Sequence, residues 1–239
     1  MKQNYFSQLK QDRFMNEVIF NHQKNGFFID IGAHDGVTIS NTLYFENKGW
    51  NGICIEPNPN VFVKLQANRK SKNLNVCIGN ANRTVKFTKI DGYSEMLSGI
   101  SENYDPRHLE RIDREIAAKG GEKTEIDVAM ITLDSIEGIK DKQIDFISID
   151  TEGNEFDIVK SINFDVLRIK ALVIENNYND NRIKDLLKIF GYERIYRLEC
   201  DEVFIFEKNH TLGVKIRLLS WKINSFYNRV LSKITRKVN

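Results

Sequence analysis

Residues 27–42, FFIDIGAHDGVTISNT, decide how this chain is organised. The stretch opens with a short run of aromatic and β-branched residues, which is typical of a strand buried on both faces of a parallel sheet. Gly32 and Gly36 follow, and because glycine lacks a Cβ, the backbone can turn sharply there and approach a ligand closely. The spacing of apolar residues then predicts a helix from Thr38 to Gly49. The opening unit is therefore a strand, a glycine turn that favours a ligand, and a helix.

Strands and helices alternate after this unit, and two strands joined by a short polar link close the series. This order predicts an α/β fold with a mostly parallel sheet, helices on both faces and an antiparallel C-terminal edge. The predicted strands cover residues 27–31, 51–55, 74–78, 85–90, 126–133, 144–149, 171–175, 192–198 and 202–206. The further predicted helices cover residues 61–68, 155–162 and 182–190.

Residues 91–123 interrupt the alternation. Glycines flank a charged, weakly helical stretch that has no strand character. A segment of this length between two strands is typical of a lid or substrate loop, and a solvated surface helix is the alternative. We expect one main domain over residues 1–207, with residues 91–123 as an insertion in it.

Charge is distributed unevenly along the 239 residues. The chain has a net charge of +2, but eight cations and no acid follow Glu207, so residues 1–207 carry a net charge of −6. Residues 208–239 form a basic tail in which Leu219, Ile223, Phe226, Val230 and Ile234 recur at helical spacing, predicting an amphipathic helix. Residues 212–238 could pack on their own domain, lie on an anionic membrane surface or contact another subunit.

The cysteines and the N-terminus predict a cytoplasmic protein, with the inner face of the membrane as a peripheral location for the tail. Cys54, Cys77 and Cys200 are odd in number, lack a CxxC spacing and lie in or beside apolar runs, so we expect reduced core thiols. The first residues contain no apolar leader segment, and no run of about 18 apolar residues occurs.

Acidic residues end four of the predicted strands. Asp30 lies at the end of the first strand, Glu56 follows the second, Asp150 and Glu152 follow IDFISI, and Glu175 ends ALVIE. Because the carboxyl ends of parallel strands form the ligand side of such a sheet, these groups should lie near one another. Partly buried carboxylates are costly unless they bind something, so this edge predicts a hydroxylated or cationic ligand.

The same pattern argues against a phosphate-bearing ligand. The turn reads D-x-G-x-x-x-G rather than G-x-G-x-x-G, and no G-K-[ST] follows it. Glu56 lies 20 residues after Gly36, the spacing at which such units present an acid to ribose hydroxyls. S-adenosylmethionine fits this pattern, because it has a ribose without phosphate and carries a positive charge. A nicotinamide cofactor is the alternative.

Several motifs together carry a family resemblance. The series FFIDIGAHDGVTISNT, GICIEPNP, ITLDSI, IDFISIDTEGNEFDIVK, ALVIENN and GYERI resembles the FkbM-type S-adenosylmethionine-dependent methyltransferases over roughly residues 7–206. The resemblance implies a Rossmann-like fold with a seven-stranded sheet. It also implies methyl transfer, usually to oxygen, on secondary metabolites or on sugars of surface polysaccharides. Ser148 departs from this pattern, because many members have a lysine there.

The candidate residues follow from these patterns. We expect catalytic roles for Asp150, Glu152, Glu175 and His34, with Asp150 the first choice as base. A divalent cation such as Mg²⁺ could bind Asp150, Glu152, Glu175 and Asn176, although oxygen clusters also occur as hydrogen-bonded caps. The expected cofactor-binding residues are Asp30, Gly32, His34, Gly36, Asn41, Thr42, Glu56, Pro57, Asn80, Ala81 and Asp150. Additional candidates are His108 as a base and Gln8, Gln11 and Asp12 as a cover over the cofactor.

Two functional classes remain open from the sequence. The first is an O-methyltransferase acting on a small molecule or glycan, and the second is a noncatalytic module that keeps the cofactor fold and works through its basic tail. Nucleic acid is not an expected partner, because phosphate backbones favour a basic face and residues 1–207 are acidic.

Overall fold

The computed structural model describes residues 4–104 and 106–238. Eleven strands lie in the described residues: β1 (Phe27–Ile31), β2 (Asn51–Ile55), β3 (Lys72–Leu74), β4 (Cys77–Ile78), β5 (Arg83–Asp91), β6 (Gly99–Ile100), β7 (Glu122–Ile131), β8 (Gln143–Ile149), β9 (Arg168–Glu175), β10 (Tyr192–Leu198) and β11 (Asp201–Phe206). The α-helices there are α1 (Gln11–Phe14), which continues as a π-turn to Ile19, α2 (Leu43–Asn47), α3 (Pro59–Asn68), α4 (Pro106–Lys119), α5 (Glu155–Ser161), α6 (Arg182–Ile189) and α7 (Leu212–Val238).

Seven strands form the main sheet, in the order β10-β11-β9-β8-β1-β2-β3. The five strands from β9 to β3 run parallel, whereas β11 pairs antiparallel with both β9 and β10. Ile31 pairs with Ile55 on one side and Ile149 on the other, so β1, β2 and β8 end level with one another. The predicted α/β fold, with its mostly parallel seven-stranded sheet and antiparallel edge, is confirmed.

Apolar cores cover both faces of this sheet. Side chains alternate along a strand, so Ile29 and Phe28 of β1 point to opposite faces. Ile29 belongs to a core that includes Ile158 of α5 and Leu187 of α6. Phe28 belongs to the other core, which is built from the N-terminal helix, α2 and α7. Helices therefore lie on both faces, as the alternating sequence predicted.

A second, four-stranded sheet, in the order β4-β7-β5-β6, corrects three of the sequence predictions. The expected strand 74–78 is two strands in different sheets, because Asn75 leaves the ladder and its Nδ2 donates to the carbonyls of Glu56 and Pro57. The predicted strands 85–90 and 126–133 pair with each other as β5 and β7, antiparallel. Periodicity identified these strands, but it does not specify which sheet a strand joins.

The predicted helix from Thr38 to Gly49 is wrong in its first half. Only Leu43–Asn47 is helical. Asp35 holds the preceding residues in a turn, because its carboxylate accepts hydrogen bonds from the backbone N–H of Val37 and Thr38. Ile39 has a left-handed backbone with φ +49°, which a helix cannot contain.

The insertion 91–123 is more ordered than its sequence suggested. It contains the short strand β6 and the 14-residue helix α4, which packs through Ile112 against Leu97 and Ile90. His108, a candidate base, is buried at 1% exposure. The part of this insertion that lies outside the described residues is Asp105. The role of residues 91–123 as a lid remains a prediction.

The C-terminal tail forms α7, whose first turns pack on the domain. Val214 and Leu218 are buried in the core beside the N-terminal helix, and Trp221 meets Phe14 edge to face at 5.2 Å. Arg217 Nε donates to the carbonyl of Val18 at 2.8 Å. The side chains of Val230 and Ile234, predicted for the apolar face of this helix, lie outside the described residues.

Two further expectations concern thiols and membranes. Cys54 and Cys77 are buried, but Cys200 is half-buried in the turn between β10 and β11, so the prediction of a core position is wrong for that residue. Among residues 4–104 and 106–238, none of the helices combines the length and the apolar composition needed to span a bilayer.

We expect Gly32→Ala to destabilise the fold strongly. Gly32 has φ +86°, and a Cβ there would lie 1.7 Å from the carbonyl oxygen of Asp150, so backbone would have to move. The loss should be at least about 3 kcal/mol in the free energy of unfolding, measured by urea denaturation. The matched control is Gly49→Ala, with φ +91° and no atom within 4 Å of the added Cβ, which should cost only about 1 kcal/mol. Equal losses in both variants would contradict the steric argument.

Candidate active site

A cleft lies beyond the carboxyl ends of β1, β2, β8 and β9, and the segment from Glu95 to Ile100 of the insertion forms one of its walls. Ligands of parallel α/β sheets bind at this edge. The predicted residues that line the cleft are Gln8, Asp30, Gly32, His34, Asn41, Glu56, Pro57, Asp150, Glu152 and Glu175. The fold therefore brings most of the candidate residues from distant parts of the chain to one place.

The glycine turn crosses from β1 towards β2. The backbone N–H groups of Gly32 and Ala33 both donate to the carbonyl of Ile55 at 3.0 Å. Asp30, just before the turn, is buried and accepts a hydrogen bond from Thr42 Oγ1. Burial raises the pKa of Asp30, and the nearby Arg69 guanidinium opposes this effect. The turn is thus tied to the sheet at both of its ends.

Arg69, which the sequence patterns did not single out, holds the loop after the turn. Its side chain is fully buried, Nη1 donates to the carbonyl of Gly36 at 3.1 Å, and Nη2 donates to Thr42 Oγ1 at 3.0 Å. Its Nε lies 3.2 Å from Glu46 Oε2. Gly36 and Thr42 therefore support the loop from below and do not line the cleft. Sequence periodicity could not identify Arg69, because a buried arginine at the end of a helix is not part of a repeating apolar pattern.

Glu56 is fixed by the main chain on both sides. Its Oε2 accepts the backbone N–H of His34 at 3.0 Å, and its Oε1 accepts that of Asn58 at 2.8 Å. Each carboxylate oxygen can accept a second hydrogen bond, so the group retains capacity toward the cleft. Burial raises the pKa of Glu56 to about 7, although the two N–H groups pull the pKa down.

An acidic rim lies on the opposite side of the cleft, at the ends of β8 and β9, and consists of the carboxyl groups of Asp150, Glu152 and Glu175. Burial, followed by the charges of Glu175 and Asp201, raises the pKa of Asp150 well above its ordinary value. Burial and the charge of Asp150 raise the pKa of Glu152 to about 8, while Arg111 opposes the shift from 3.2 Å. Burial and the charge of Glu152 raise the pKa of Glu175 to about 8. Each of these groups therefore holds a proton more tightly than an ordinary carboxyl group does, and ionising one of them makes ionising the next more costly.

The expected divalent cation has no support in this arrangement. No group of three or more histidine, cysteine, aspartate or glutamate side chains in the described part of the chain converges on a point that would hold a metal ion. Asn176, the fourth predicted ligand, is occupied elsewhere: its Oδ1 accepts the backbone N–H of Asp180 and its Nδ2 donates to that residue's carbonyl, both at 2.8 Å.

Asn154 is a cleft residue that the sequence analysis missed. Only 4% of it is exposed, and its Oδ1 is buried without a hydrogen-bond partner in the structure. A buried acceptor of this kind costs free energy unless a ligand or water satisfies it. Asn41 lines the same cleft and donates from Nδ2 to Ser148 Oγ at 3.0 Å. The sequence contained one indication of this role, because Asn154 lies two residues after Glu152 of the acidic rim.

The remaining candidates lie outside this cleft. Asn80 lines an adjoining cleft that shares Asn154 with the first, and Ala81 is exposed beside it. Gln11 donates to Asp201, and Asp12 accepts the backbone N–H of Phe6. His108 Nδ1 lies 3.9 Å from Glu152 Oε2, so His108 is close to the acidic rim but does not line the cleft.

A family model, described as the methyltransferase FkbM domain, matches residues 30–203. The chain belongs to this family. Its match begins at the end of β1 and closes within β11, and so includes the glycine turn, Glu56 and the acidic rim. None of the curated proteins compared with the chain matches it.

Solved structures give distant similarities to this FkbM-family chain. The METTL16 methyltransferase domain has a TM-score of 0.44 at 12% identity, and the match covers 81% of this chain but only 64% of that one. The precorrin-6y C5,15-methyltransferase from Geobacter metallireducens GS-15 has a TM-score of 0.40 at 13% identity, over 86% and 88% of the two chains. The human methyltransferase 10 domain containing protein has a TM-score of 0.41 at 13% identity, over 83% and 80%.

The acidic rim of this FkbM-family protein predicts a pH-dependent stability. Glu175 has a pKa of about 8 in the folded state against 4.5 ordinarily, so the folded state holds the proton more tightly. The rim therefore costs nothing below about pH 4.5, and stability is lost as the pH rises from there to 8. Glu175→Gln should raise stability by less than about 1 kcal/mol at pH 5 and by about 4 kcal/mol at pH 8, measured by urea unfolding.

The control for this experiment is Glu125→Gln, which removes an exposed carboxyl from the second sheet. Its effect on the free energy of unfolding should be small at both pH 5 and pH 8, because the side chain is exposed. A Glu175→Gln effect that is constant from pH 5 to pH 8 would contradict the proposed cost of ionising the rim.

Proposed function

We propose that this FkbM-family protein is an S-adenosylmethionine-dependent O-methyltransferase and that its acceptor is a sugar hydroxyl, as in a surface polysaccharide or a related small molecule. Family membership supports methyl transfer as the reaction class. The choice of donor and acceptor rests on the chemistry of the two sides of the cleft.

The geometry of Glu56 is the observation that carries the donor site. Two backbone N–H groups hold its carboxylate at the end of β2, next to the turn at Gly32. An acid so placed can accept hydrogen bonds from the two hydroxyls of a ribose. The turn itself passes too close to Asp150 for any side chain at position 32, so main chain lines this part of the cleft.

The residues of the cleft also fit the remaining parts of such a donor. The buried Oδ1 of Asn154 is an acceptor that lacks a partner in the structure, and it would suit an amino group. Apolar residues, among them Val76, Phe87 and Ile100, form a wall on which a flat ring can pack. The acidic rim favours a ligand that carries positive charge over one that carries phosphate.

S-adenosylmethionine supplies a methyl group that is already activated on a sulfonium, so the protein has mainly to position the acceptor. Holding an acceptor oxygen in line with the methyl carbon contributes several kcal/mol through proximity alone. The hydroxyl must also lose its proton as its oxygen forms the new bond. We assign Asp150 as the base that accepts this proton. Asp150 lines the cleft at the end of β8, and burial and neighbouring acids raise its pKa.

Glu152 and Glu175 supply the surroundings of that base. Their carboxyl groups line the cleft beside Asp150, and both can hydrogen-bond to the several hydroxyls of a sugar. Ser148 replaces the lysine of many relatives, and it is fully buried and bonded to Asn41. Position 148 therefore presents no ammonium group to an acceptor in this protein.

We expect Glu56→Gln to lower the affinity for S-adenosylmethionine by 10-fold or more. The amide can accept with only one of its two terminal atoms, so a backbone N–H of His34 or Asn58 loses its partner and the ribose loses an acceptor. Isothermal titration calorimetry measures the affinity directly. Glu137→Gln, an exposed change away from the cleft, is the control. Failure of the unchanged protein to bind would favour the noncatalytic module.

We expect Asp150→Asn to lower the rate of methyl transfer by about 100-fold or more, since it removes the general base. The acceptor for the assay is surface glycan from a strain that lacks this protein, and mass spectrometry detects the added methyl group. Calorimetry should give a much smaller change in S-adenosylmethionine affinity than in rate. Asp165→Asn, at an exposed aspartate, is the control. An unchanged rate would rule out Asp150 as the base, and untouched glycans would rule out this acceptor.

A further inference from the structure

The helix α7 carries two apolar stripes on different sides. Val214 and Leu218 form the docked stripe, which is buried against the N-terminal helix. The second is exposed and follows the i, i+4, i+7 pattern of one helix face. This exposed stripe consists of Leu212, Ile216, Leu219, Ile223 and Phe226, each between 57% and 73% exposed. A row of large apolar side chains in water is a marker of a binding surface.

Cations flank the exposed stripe. Lys215 and Lys222 are exposed and stand four residues before Leu219 and Phe226, so helical spacing places them along one edge of the stripe. No acidic residue follows Glu207, and the sequence after Glu207 contains eight cations. The surface is therefore apolar in the middle and positive at its edge.

This charge pattern distinguishes between the partners that could cover the stripe. The protein's own domain already occupies the docked stripe of the same helix. A second copy of the helix would bring Lys215 and Lys222 against other cations, and the helix has no acid to pair with them. A negatively charged surface matches both features, since it takes up apolar side chains and attracts the lysines.

We propose that the exposed stripe of α7 docks the protein on an anionic lipid surface, with the helix lying in the plane of the membrane. The apolar side chains enter the boundary between headgroups and acyl chains, and the lysines contact the lipid phosphates. The site residues at the sheet edge take no part in this contact. The inference stands independently of the proposed reaction.

The test is co-sedimentation of the full chain with vesicles. Vesicles of phosphatidylcholine containing phosphatidylglycerol should bind the protein at least 10-fold more tightly than vesicles of phosphatidylcholine alone, and added salt should weaken the binding. Absence of binding to the anionic vesicles would overturn the proposal. Equal binding to both compositions would overturn the role of the lysines.

Paired variants separate the stripe from general charge effects. Ile223→Glu should lower binding to anionic vesicles by 10-fold or more, whereas Asn224→Glu places the same charge on the next residue, off the stripe, and should have a smaller effect. The double change Lys215→Gln and Lys222→Gln should lower it by roughly 25-fold, at about fivefold for each lysine. Equal losses for Ile223→Glu and Asn224→Glu would overturn the assignment of the stripe.

Two further measurements test whether unfolding or self-association explains these effects. The melting temperature should be unchanged in all these variants, because every altered side chain is exposed. The lysine double variant provides the test even where a stripe variant lowers stability. Light scattering in the absence of lipid tests the second copy as partner: a dimer that Ile223→Glu dissociates, together with no binding to vesicles, would overturn the proposal in favour of self-association.

Discussion

The whole site depends on how closely β1 and β8 meet where they end. Gly32 turns against the carbonyl of Asp150 with no space for a side chain, and the same turn is bonded to the last carbonyl of β2. Three neighbouring strands are thereby joined at one point. Glu56 lies on one side of that point and Asp150 on the other, so a single close contact between backbones sets the width of the cleft between the two groups of acids.

Burial of like charges is the second constraint on this design. The carboxyl groups at the ends of β8 and β9 raise one another's pKa, and the fold tolerates them because some carry protons near neutral pH. Beneath the glycine turn the buried cation of Arg69 donates to backbone and hydroxyl oxygens, and its Nε lies beside the carboxylate of Glu46. The protein therefore pairs its buried cation with oxygen atoms under the loop and keeps its costly cluster of acids in the cleft, where a ligand can reach them.

The sequence predicted those parts of the fold that local patterns encode. The bounds of β1, β2 and β10 were right, because continuous apolar runs or clear turns delimit them, and the acids at the strand ends were correctly brought together. The second sheet was missed, since β5 and β7 have ordinary strand patterns that say nothing about their partners. Arg69 and Asn154 were missed because their roles depend on tertiary contacts, and the helix 38–49 was overextended because Asp35 forms a turn there.

The packing of α7 on α1 bears on how the protein folds. Arg217 donates to carbonyls of Val18 and Ile19, and Phe14 packs on Trp221, so the helix α1 is completed by a helix that is translated roughly 200 residues later. The central strand β1 likewise pairs with β8, which is translated much later. Contacts between such distant segments slow folding. The apolar surface of α1 therefore stays uncovered until α7 has been translated, and we expect the nascent chain to engage a chaperone.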